Sequence, residues 1–87
     1  MTTAEKKIAI RAINEIQQQI EAFEASWKKA YDSNEDTSDI DSKIDKLLSK
    51  RNGMLMLLTE LGIEYVRRDW LLHEGTQAIL HTGFCLA

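Results

Sequence analysis

Ile63-Glu-Tyr-Val-Arg-Arg-Asp-Trp-Leu-Leu-His-Glu-Gly-Thr-Gln-Ala-Ile-Leu-His-Thr-Gly-Phe-Cys-Leu-Ala87 is the segment on which the fold class turns, because it fits either backbone period. Read as helix, Ile63, Val66, Trp70 and Leu71 share a face, Gly75 terminates it, and Thr76 caps a last short turn through Ala78, Ile79 and Leu80. Read as strand, Ile63, Tyr65 and Arg67 alternate with Glu64, Val66 and Arg68, and Glu74-Gly75 turns a hairpin towards residues 77–81. A lone two-stranded hairpin is marginal in water and needs other elements to cover one face. That weighs the reading towards helix, and the expected fold class is all-α.

Upstream, the periodicity is clearer. Thr2-Thr3-Ala4-Glu5 is a capping box, a hydroxyl followed three residues later by a carboxylate, and it starts a helix. Ala9, Ile13, Ile16, Ile20, Phe23, Trp27 and Ala30 then recur at spacings of 4 and 3, a heptad seam. The spacing predicts a first helix over about 3–31. Residues 32–37, Asp-Ser-Asn-Glu-Asp-Thr, are small polar turn formers and make an acidic loop. A second seam of Ile40, Ile44, Leu47, Arg51, Met54, Leu58, Leu61 and Tyr65 predicts a helix over about 38–61. Asn52-Gly53 is a turn signal inside it, but the seam passes through Arg51 and Met54 without a phase slip, so the helix is read as continuous. Gly62 followed by Ile63 is a helix end, glycine at C′ with an apolar residue folding back. The expectation for residues 1–87 is a single helical domain, an antiparallel, coiled-coil-like helical hairpin with a short packed C-terminal segment, 63–87.

With 87 residues, a chain of this size buries only ~60% of its unfolded surface, and two narrow seams cannot close a core alone. Leu48, Leu55 and Leu57 form an apolar strip beside the second seam. Meeting the same strip across a two-fold axis completes a helical bundle, so a homodimer is expected.

Composition excludes several function classes. Eleven Lys+Arg against fourteen Asp+Glu, with 44% apolar residues, describes neither a disordered polyelectrolyte nor a basic nucleic-acid binder. One cysteine excludes an internal disulfide, and no apolar stretch is long enough to span a bilayer or act as a secretory signal. The expected setting is cytoplasmic, with no membrane partner.

Chemistry-bearing patterns are sparse. Arg51 stands at a seam position, opposite Ile20 and near Gln17, Glu21 and Glu24, where it either sets register from inside or reaches the surface to pair with a glutamate. Asp32, Asn34 and Asp36 have the opening spacing of a calcium loop, but Thr37 stands where glycine is needed and Lys43 where the bidentate glutamate is needed. His73, His81 and Cys85 are the only soft ligands and fall one donor short of a closed zinc site, so no metal and no cofactor is expected. His81 and Cys85 lack an orienting third group for a catalytic dyad, and no phosphate-cradling glycine loop exists. The chain is therefore not expected to be an enzyme.

The function expected is that of a small protein–protein interaction or scaffolding protein acting by helix-face recognition. Its contact residues are Leu48, Leu55 and Leu57 on the strip and Trp70 and Phe84 in the tail. The alternative is a small acidic inhibitor or adaptor. Its Asp32, Glu35, Asp36, Asp39, Asp41 and Asp45 meet a basic surface on a nucleic-acid-processing protein.

Overall fold

Thr2 and Glu5 form both halves of the capping box: the Glu5 amide donates to Thr2 Oγ1 and the Thr2 amide to Glu5 Oε1, each at 3.2 Å. A computed structural model describes residues 1–87, beginning with the helix this box starts, α1 (Thr3–Asp32). The seam is its inner face. Ile13, Ile16, Ile20 and Ala30 are buried, and each buried isoleucine contributes ~2 kcal/mol of apolar transfer. Asn34 ends the helix in the left-handed region (φ 56), with the Glu35 amide donating to the Ala30 carbonyl at 2.9 Å.

The second helix, α2 (Ser38–Glu60), returns antiparallel, so that Lys43 reaches Phe23, Arg51 reaches Gln17, and Leu58 packs with Ile10 and Ile13. It is unbroken at Asn52-Gly53. Its first turn is fastened by Asp36, whose Oδ1 accepts from the Ser38 amide (3.0 Å) and hydroxyl (2.6 Å), while Thr37 donates to Asp41. Its last turn closes as a Schellman motif. Gly62 takes φ 75, its amide donates to the Thr59 carbonyl, and the Ile63 amide donates to the Leu58 carbonyl at 2.9 Å. Ile63 thereby folds back beside Leu58 into the core.

The remainder is not helical. β1 (Tyr65–Glu74) and β2 (Gln77–Leu86) form an antiparallel hairpin in unbroken register from Tyr65 opposite Leu86 to Glu74 opposite Gln77. Gly75 (φ 62) and Thr76 make the two-residue loop, with glycine at the position that needs positive φ. The expected all-α class is thus overturned: two helices plus a two-stranded sheet is a mixed α/β fold, neither a helical hairpin nor a helical bundle. The physical reason is that the hairpin does not stand alone. Phe84 enters the core with Ile10, Ile13, Leu55, Leu58 and Ile63, and Tyr65 meets its ring edge-on at 6.1 Å. Leu55 points into this same core, so of the apolar strip expected to meet a second copy one residue is taken up within the chain, while Leu48 is half-buried and Leu57 exposed.

Candidate functional site

α1 is fastened to only one side of the hairpin. Asn14 Nδ2 donates to the Phe84 carbonyl and Asn14 Oδ1 accepts from the Phe84 amide, both at 2.8 Å. One heptad further on, Glu21 Oε1 accepts from the Thr82 amide at 2.9 Å. Thr82 and Phe84 therefore aim their backbone groups away from β1, and α1 side chains close that edge.

Antiparallel pairing alternates, so the residues opposite Thr82 and Phe84, Asp69 and Arg67, aim their backbone groups outward from β1. Leu71 and His73 follow with the same parity. None of these four residues has a backbone partner in the chain outside the hairpin ladder, and neither helix packs its backbone on β1. The outer edge of a ten-residue strand is open.

The side chains beside that edge are apolar on both faces. Leu71 stands opposite Leu80 on the face that carries Phe84; Leu72 stands opposite Ile79, and Trp70 opposite His81, on the other. Trp70, Leu71, Leu72 and Leu80 are exposed at 45%, 58%, 49% and 59%. Arg67 and Arg68 charge the half of β1 nearer the helices, whereas residues 70–73, Trp-Leu-Leu-His, carry no acidic or basic lysine or arginine group.

Trp70 is held rather than loose. Its ring stacks on His81 with centroids 5.8 Å apart and covers Gly83, where an added Cβ would lie 3.1 Å from two ring carbons. His81 Nδ1 lies 3.3 Å from Glu21 Oε2, while its Nε2 is buried without a partner. On the opposite face, Thr82 Oγ1 donates to Asp69 Oδ1 (2.7 Å) and Arg67 Nε donates to the same oxygen (3.3 Å). The Thr82 hydrogen bond is the main reason the Asp69 carboxyl is held below the usual carboxylate range; desolvation opposes it and Arg67 adds to it. Arg51 lies between layers, donating to Gln17 Oε1 at 2.6 Å and to the Asn52 side chain, with its guanidinium 5.7 Å from the Phe84 ring centroid. Desolvation, then Arg67, lowers its pKa, and Glu24 opposes this.

Of the contact residues read from the sequence, Leu55 and Phe84 are in the core, Leu48 is half-buried, and Leu57 and Trp70 are exposed. Leu57 has exposed Met56 and Leu61 for neighbours at the end of α2. Asp32, Glu35, Asp36, Asp39, Asp41 and Asp45 are all exposed around the α1–α2 loop, with Asp36 and Asp41 engaged in starting α2. Ser38 hydrogen bonds, side chain then amide, hold the Asp36 carboxyl below its ordinary value. His81 and Cys85 share one face of β2 while the side chain of His73 belongs to the other face, and no three of the His, Cys, Asp and Glu residues converge as a metal site. Leu71, Leu72 and Leu80 are not legible in the sequence as exposed strand residues, because an apolar run on both faces hides the period of two that marks a strand. No helix is long and apolar enough to cross a membrane. Comparison with family models, with curated proteins and with solved structures finds no match to this chain, and the open β1 edge with its flanking apolar faces is the feature on which a function can be argued.

Proposed function

We propose that this chain is a small, non-enzymatic protein–protein interaction module that binds through the outer edge and distal apolar faces of its β-hairpin. The observation that carries the reading is the unpartnered backbone edge of β1 at Arg67, Asp69, Leu71 and His73, flanked by exposed Trp70, Leu71, Leu72 and Leu80. Exposed edges are ordinarily blunted by charged side chains, proline, a bulge or a short strand, and the charge on β1 stops at Asp69 and resumes only at Glu74. β1 has ten residues, no proline and no interruption of register. Strand addition to such an edge supplies affinity through backbone hydrogen bonds and specificity through the flanking side chains. The recognition surface is thereby moved from a helix face to a sheet edge. A cytoplasmic setting fits the lone free Cys85.

A photo-crosslinking residue at Leu71, compared with one at Leu57 on α2, tests this in cells that make the protein. Covalent protein adducts from Leu71 are expected. Adducts from Leu57 alone return the reading to helix-face recognition, and none from either position overturns the interaction reading.

A further inference from the structure

We propose that the partner this edge fits is a second copy of the same strand, joined antiparallel across a two-fold axis at Leu71 to give a four-stranded sheet ordered β2-β1-β1-β2. The proposal rests on the interaction reading above and names its occupant. It comes from writing β1 against itself. With Leu71 opposite the partner's Leu71, parity brings outward-facing backbone to outward-facing backbone: Leu71 exchanges bonds with its counterpart and Asp69 with the partner's His73, about six in all. The side chains then match along the whole overlap. Asp69 faces the partner's His73, Arg68 faces the partner's Glu74, and Trp70 faces the partner's Leu72.

Neighbouring registers lack this match. Centring the axis on Arg68 or on Asp69 sets like charges directly opposite, which destabilises a sheet. Centring it on Trp70 sets Asp69 against the partner's Leu71 and Arg68 against the partner's Leu72. Centring it on Leu72 sets Trp70 against the partner's Glu74, so within the 68–74 overlap the Leu71 centre alone sets Arg68 against an acid, Asp69 against a hydrogen-bonding ring and each apolar group against another. It also extends the apolar rows already present, because Leu71 stands opposite Leu80 within each chain. One face of the joined sheet carries an unbroken leucine row over four strands. The approach is open, since α1 is fastened to the far edge of the hairpin through Asn14 and Glu21.

Overlap of residues 68–74 buries less than the ~1,200–2,000 Å² of a standard interface, so association on the order of 10 µM is expected. Sedimentation equilibrium of the full chain, under reductant, from about 1 to 500 µM reads it. A rise from monomer to dimer mass is expected, and a monomer throughout overturns the proposal. Arg68→Glu and Glu74→Arg should each weaken the dimer about tenfold, and the two together should restore it, because each charge meets its complement only across the axis. Failure of the double variant to restore overturns the register. Circular dichroism of these exposed-site variants checks folding. On a Cys85→Ser background, Leu71→Cys should form a covalent dimer on mild oxidation, and equal cross-linking by Leu72→Cys overturns the Leu71 centre. A strict monomer that still gives Leu71 adducts to other proteins in cells removes the second copy as occupant and leaves the interaction module standing.

Discussion

Asn14 grips Phe84 at both backbone groups, so one side-chain amide does for the outer edge of β2 what a third strand would do. The same contact positions the Phe84 ring in the core, which couples hairpin to helices through one residue. Asn14→Ala leaves a part-buried amide and carbonyl without their partners, at a cost of ~1–3 kcal/mol. Urea unfolding should show that loss, and amide exchange should speed first across β2. An unchanged urea midpoint would mean that water replaces the clamp freely.

Arg51 and Gln17 tie the two helices to each other. Gln17 is 5% exposed, and its side-chain oxygen accepts from Arg51. Arg51→Met strands the Gln17 amide oxygen and should cost ~1–3 kcal/mol. Arg51→Met combined with Gln17→Leu removes both polar groups and should recover most of that loss. A double-mutant cycle by urea unfolding checks it, and additivity of the two single changes would rule out the coupling.

How much of this was legible differs between the two halves of the chain. The capping box, the buried seam at Ile13 and Ile20, the passage through Gly53 and the Gly62–Ile63 helix end are local or strictly periodic, and each takes the form its residues announce. Arg51 was legible in its neighbour Gln17 but not in the Phe84 ring beside it, which comes from a segment far along the sequence. The hairpin is hidden in the sequence for the same reason. What makes it stable is Asn14 and Glu21, 60 to 70 residues away, and nothing within residues 63–87 reports that support. The open edge of β1 is hidden with it, because which backbone groups of β1 are free follows only once β2 and α1 are in place.

Glycine substitutions should part in sign. A Cβ at Gly53 meets nothing within 4 Å, and the residue sits inside α2, so Gly53→Ala should stabilise by ~1 kcal/mol through helix propensity. Gly75 also has open space but holds φ 62, and Gly75→Ala should cost ~1 kcal/mol through backbone strain. Thermal melts of the two variants should move in opposite directions. A common direction would show that one of these two backbone assignments is wrong.

Asp69 should make the hairpin acid-sensitive. Its carboxyl is held below the usual range, chiefly by the Thr82 hydroxyl and further by Arg67, so the folded state favours the ionised form. A group depressed on folding contributes stability that is present above its unfolded pKa of ~3.9 and is lost as pH falls through the folded value. The Asp69–Thr82 contact should therefore be steady down to about pH 5 and weaken below about pH 4. Asp36 has the same sign for a different reason, its bonds to Ser38, so acid also loosens the start of α2. The two are separable by place. In Asp69→Asn, the Thr82 Cβ and methyl shifts, which report the hydroxyl bonded to Asp69 rather than the amide bonded to Glu21, should lose their acid-range titration while those at Ser38 keep theirs. If those Thr82 side-chain shifts still titrate in that variant, the assignment to Asp69 falls.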